Sequence, residues 1–116
     1  MKTFLAVYVG NPAGMDAWKQ MDEAQRKTKE AAGMKAWQNW AETNAKAIVD
    51  PGGPLSKTKR ISKQGIADVR NEMGAYTIVQ AESQEAAAKL FENHPHFTIF
   101  PGDAVEVMER LPIPGM

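Results

Sequence analysis

The chain has 116 residues and no cysteine, which fits one domain over 1–116 and excludes disulfides, thiolate metal sites and a cysteine nucleophile. Lys plus Arg and Asp plus Glu balance at 14 each, so no global field favours nucleic acid, an anionic membrane or an acidic substrate. Hydrophobic residues at 43% and charged residues at 24% match ordinary globular usage. No apolar run nears the roughly 18 residues that span a bilayer, and no cleavage signature follows the N-terminal apolar stretch, so a cytoplasmic protein is expected.

"TFLAVYV" (Thr3–Val9) is rich in β-formers and is closed by the turn residues "GNPAG". From Ala17 small or apolar residues recur every three or four positions through Met21, Ala24, Thr28, Ala31, Met34, Trp37, Ala41 and Ala45 to Ile48, a helical stripe. Unbroken, it would run about 48 Å at 1.5 Å per residue, so a bend or break is expected at Gly33. "DPGGPLS" (Asp50–Ser56) denies both helix and regular ladder and ends that segment. "KTKRIS" suggests a short edge strand guarded by lysine, and "QGIADVRNEMG" a loop or hairpin. "AYTIVQAE" reads as a strand, Ser83 as the N-cap of "QEAAAKLFENH", and Pro95 stops that helix near Asn93. "DAVEVMERL" alternates as a last strand before the tail "PIPGM".

Strand, helix, strand, strand, helix, strand is the order of a ferredoxin-like α+β sandwich, with two helices on one face of an antiparallel sheet. Phe4, Ala6 and Tyr8 point one way from the first strand, Leu5, Val7 and Val9 the other, and neither face is polar. A helical layer covers only one face, so homodimerisation through the sheets is expected.

"MKTFLAVYVG", "GGPL" at Gly52–Leu55 and "GAYTIVQAESQEAAAKLFENHPHF" at Gly74–Phe97 resemble the YCII-related family, and "FPGDAVEVMERLPIPGM" resembles the ending of its His-Pro-His variant branch. The resemblance covers most of the chain. It implies a ferredoxin-like domain pairing into a dimeric α/β barrel, and links to small-ring chemistry such as dehydrochlorination or lactone isomerisation. It also implies an acid/base pair, a histidine on the first helix and an Asp-Pro at the end of the second. Here the first position falls at Ala36 or Trp37, which transfer no proton, and the second falls on His94-Pro95.

His94 is therefore the candidate catalytic group, since a free imidazole titrates near 6.5. Its plain alternative is a charge at a helix C-terminus interacting with the dipole. His94 and His96 lie two apart and an extended backbone would aim both one way, but without an acidic third ligand no metal is expected; no cofactor is expected either. His94, His96, Trp37 and Asp50 are the candidate ligand-binding residues. Asp50 and Asp103 are placed to orient a histidine or, as aspartates in turns commonly do, to cap backbone amides. Trp18, Trp37 and Trp40 suit either an aromatic pocket or core packing. "KTKR" suits anion steering or edge protection, and "GNPAG" lacks the ending of a phosphate-binding loop. The expected activity is binding of a small planar or anionic molecule near His94 by a homodimer. The alternatives are a lyase or isomerase acting on a small cyclic or aromatic compound, or a non-catalytic accessory domain.

Overall fold

The computed structural model describes residues 1–115; Met116, the end of the Pro-rich tail, lies outside them. In chain order the elements are β1 (Lys2–Gly10), α1 (Pro12–Lys19), α2 (Glu23–Thr43), β2 (Ile48–Pro54), β3 (Thr58–Ser62), β4 (Gly65–Val69), β5 (Met73–Ala81), α3 (Gln84–Lys89), α4 (Pro95–Thr98) and β6 (Gly102–Glu109). Four strands form an antiparallel sheet in the order β2-β5-β1-β6, while β3 and β4 pair only with each other. With that hairpin set aside as an insertion, the connectivity is the ferredoxin-like βαββαβ sandwich that the element order predicts.

β1 lies between β5 and β6, so its side chains find neighbours on both flanks. In register Phe4 faces Val79 and Ala6 faces Thr77. This face, with Tyr8, Ala81, Ala87 and Phe91, makes the core, and Trp37 and Trp40 of α2 pack onto it. The Trp40 indole Nε1–H donates to the Leu90 carbonyl at 2.7 Å, which satisfies an acceptor at the end of α3 and pins that turn to α2. On the opposite face Leu5 sits between Ile78 and Met108. Leu5 is 36% exposed and Met108 44% exposed.

Three sequence expectations are corrected. The helical stripe breaks near Met21, not at Gly33. Asn11 caps α1 by accepting from the Gly14 N–H, with Pro12 opening the helix, and Asp22 caps α2 by accepting from the Gln25 N–H. α2 then runs unbroken for 21 residues, about 32 Å. Gly33 is buried inside it because the Phe100 ring lies on its Cα: a Cβ there would sit 2.5 Å from the ring. The second correction concerns "DPGGP", which ends no element but forms the edge strand β2. It pairs with β5 through register shifts around Asp50, and the edge position leaves its prolines without a ladder bond to make. "KTKRIS" is one arm of the β3–β4 hairpin rather than an edge of the main sheet; Lys59 meets Asp68 across it at 2.6 Å.

Gly33→Ala is accordingly expected to lower stability by about 1 kcal/mol, since overpacking against Phe100 outweighs the gain in helix propensity. Urea denaturation measures this, and a rise in stability would show that Phe100 swings freely. Among the described residues no helix is long and apolar enough to cross a membrane.

Candidate functional site

The segment from Asn93 to Gly102 builds the site. Asn93 takes a left-handed φ of 57°, a conformation asparagine tolerates better than most residues, and turns the chain after α3. His94 is thus not the end of the second helix, as the sequence reading has it, but the N-cap of α4. Its ring Nδ1 accepts the His96 backbone N–H at 3.0 Å, and Pro95 opens the helix with no N–H to satisfy. An Asp-Pro at this place, as the resemblance implies, would cap the same turn through its carboxylate.

With Nδ1 used as an acceptor, the neutral His94 ring carries its proton on Nε2. That atom is buried with no polar partner. His94 is 0% exposed, and its ring is enclosed by those of Trp37 at 4.4 Å and 89°, Trp40 at 4.6 Å and 71°, Tyr8 at 5.1 Å and Phe91 at 5.8 Å. Aromatic neighbours of this kind offer an N–H only the weak acceptance of a π face. Burial, and then the nearby His96, push the imidazole pKa down to about 4.

His96 is placed differently. Its Nε2 lies 2.7 Å from the Val9 carbonyl oxygen, which only accepts, so Nε2 carries the proton and Nδ1 is the free acceptor of the neutral ring. Its ring stacks edgewise on Tyr8 at 5.3 Å. Gly102 is required beside it, because a Cβ there would meet the imidazole at 2.3 Å.

Tyr8 belongs to a second fixed chain of hydrogen bonds. The Thr77 hydroxyl donates to the Pro51 carbonyl at 3.1 Å, which uses its single proton. Tyr8 must therefore donate to Thr77 Oγ1, at 2.9 Å. Burial pushes the phenol up to about 12, so Tyr8 stays protonated and its O–H is a fixed dipole.

Tyr8, Thr77 and His96 converge on a cavity of about 370 Å³ between α2, β2, β5 and α4, whose wall also includes Trp37, Tyr76 and Phe100. Its wall is mostly aromatic and proline surface with few polar atoms, the composition of a small-molecule site. Of the four sequence candidates, His96 and Trp37 line it. His94 does not; it stands behind Trp37. Asp50 does not either, because its carboxylate accepts from the Gly52 N–H at 2.8 Å and closes the bulge of β2. Asp103 lies elsewhere, in a shallow groove between α3 and β6. Trp40 packs in the core, and Trp18 lines a neighbouring cleft. Among the described residues no three His, Asp or Glu side chains gather as metal ligands. Sequence reasoning missed Tyr8, Thr77 and Phe100 as wall residues. Strand alternation does not say which face of β1 or β5 carries Tyr8 and Thr77 inward, and the signal for Phe100 was Gly33, against which its ring packs.

No family model matches the chain, and no curated protein matches it. A solved structure does. The 5-chloro-2-hydroxyhydroquinone dehydrochlorinase of Burkholderia phenoliruptrix, in complex with 2,5-dihydroxybenzoquinone, is similar over 95% of this chain and 93% of that chain, with a TM-score of 0.54 at 20% sequence identity. At that identity the likeness shows a shared fold.

Proposed function

We propose that this chain is a YCII-related protein of the His-Pro-His type that works as a homodimer and binds a small planar molecule in the cavity beside His96 and Trp37. The observation that carries the reading is the contact of His96 Nε2 with the Val9 carbonyl in the wall of an aromatic slot: it holds the ring still and assigns Nδ1 as the atom left to accept a ligand hydroxyl. Support also comes from the similar dehydrochlorinase, whose complex holds a flat hydroxylated ring. His94 acts in this reading as the residue that caps α4 and backs Trp37. Isothermal titration with 2,5-dihydroxybenzoquinone and with 2-naphthol tests the proposal; saturable one-to-one binding of either ring is expected, and absence of binding by both would refute it.

The second reading is a lyase or isomerase acting on a small ring. It is favoured by the name of the same dehydrochlorinase, and here it would run through His96. His94, with a pKa of about 4 and a ring buried outside the cavity wall, is unsuited to accept a proton near neutrality, and Tyr8 at about 12 is unsuited to release one.

Dimerisation is proposed through the outer sheet face, where Leu5, Ile78 and Met108 form an apolar row. Light scattering is expected to give twice the 12.8 kDa chain mass. Leu5→Arg combined with Met108→Arg is expected to give the monomer; a wild-type monomer at tens of micromolar would contradict the interface.

A further inference from the structure

We infer that the slot beside His96 is one half of a bipartite site for an aryl carboxylate, the ring lying against Trp37 and the carboxylate reaching Lys19 and Arg26. This rests on the ring-binding reading above and goes beyond it by assigning the second half. A cleft of about 670 Å³ adjoins the slot, and the two share Tyr8, Met34, Ala75, His96 and Phe100 as common wall. Phe100 is the partition: its ring is 6.1 Å from Trp37, on the slot side, and 5.8 Å from Trp18, on the cleft side.

The two halves differ in chemistry. The slot has no charged side chain in its lining, whereas the cleft is lined by Lys19, Arg26 and Glu30. Lys19 makes no ion pair among the described residues. Arg26 is half-buried and steadied by a bond from its guanidinium to the Lys19 carbonyl at 3.3 Å, and its contact with Glu30 is a long 3.9 Å. A guanidinium has five N–H donors, and these two contacts leave several for a ligand. Two cations against one carboxylate leave a net single positive charge, which a monoanion neutralises. A flat ring joined by a short linker to a carboxylate satisfies both halves, while a neutral ring fills only the first.

The test is calorimetric titration of 3-phenylpropionate and its neutral isostere 3-phenylpropanamide, at low ionic strength, into the wild-type protein and a Lys19→Gln/Arg26→Gln double variant. The wild type is expected to bind the carboxylate about tenfold more tightly than the amide. In the variant the two affinities are expected to agree within about twofold, with that for the amide unchanged from wild type. Equal wild-type affinities would overturn the bipartite site and leave the ring slot standing. A carboxylate preference that survives in the variant would overturn it too, as would a parallel loss of amide affinity, since the cations would then be shaping the slot. Failure of both probes to bind while 2-naphthol still binds would overturn the bipartite site alone; failure of 2-naphthol as well would overturn the ring-binding reading.

Discussion

Acidification from pH 7 to pH 4 is expected to remove about 3 kcal/mol of folding stability through His94 alone. In the unfolded chain this ring titrates at its ordinary value near 6.5, whereas in the fold burial holds it down at about 4. Below pH 6.5 the unfolded state therefore binds the extra proton first, and stability falls as pH falls through the window from 6.5 to 4. Above 6.5 both states are neutral and the contribution is fully present. Protonation has a second effect, since a doubly protonated imidazole has no lone pair with which to accept the His96 N–H, and the cap of α4 opens. His94→Asn separates the two effects. Asparagine keeps a capping acceptor but gives up the ring packed among Trp37, Trp40 and Tyr8. At pH 7 it is expected to cost about 3 kcal/mol for the void it leaves, while the steep loss between pH 6.5 and 4 shrinks. Urea midpoints across that range for both proteins measure this, and parallel pH profiles would show that His94 titrates normally in the fold.

His96→Leu is expected to act on binding where the change at His94 acts on stability. Loss of the imidazole removes the acceptor offered to a ligand hydroxyl, and the affinity for 2-naphthol is expected to drop by about tenfold or more. The variant also strands the Val9 carbonyl that Nε2–H now serves at 2.7 Å, at a cost of about 1–3 kcal/mol in stability. His94→Asn, by contrast, is expected to leave that affinity within about threefold, because His94 does not line the slot. The reverse pattern, with His94→Asn abolishing binding and His96→Leu leaving it intact, would place the ligand against the wrong histidine.

The layers of the fold were legible because they depend on periodicity. The alternation of Phe4, Ala6 and Tyr8 against Leu5, Val7 and Val9 separates the two faces of β1, but both are apolar, and only the fold shows that the Phe4 face meets the helices, in register with Thr77 and Val79. Periodicity does not reveal why a glycine is small. Gly33 reads as a break in a helix, but its smallness serves Phe100, 67 positions away in the chain and unknowable from local pattern. The edge strand at "DPGGP" was hidden for a related reason, since proline and glycine argue against strands in general and are admitted at bulged edges in particular.

The site was half legible. "HPH" points to this segment, and Trp37 belongs opposite it. Which histidine faces the cavity was not legible, because it turns on Asn93 adopting a positive φ and on His94 opening a new helical turn rather than closing the old one. A single reversal of the chain exchanges the buried ring for the accessible one. Tyr8 and Thr77 are core residues whose hydroxyls also reach the cavity wall, where Thr77 meets the Pro51 carbonyl of β2, a contact that strand alternation does not disclose.

Whether a small planar ligand lies against His96 and Trp37 is read most directly from intermolecular nuclear Overhauser effects between 2-naphthol and the assigned protein. Cross-peaks from the ligand to the rings of His96, Trp37 and Phe100 are expected, and none to His94. Cross-peaks to His94, or to Ala88 and Val107 in the groove between α3 and β6, would contradict that placement.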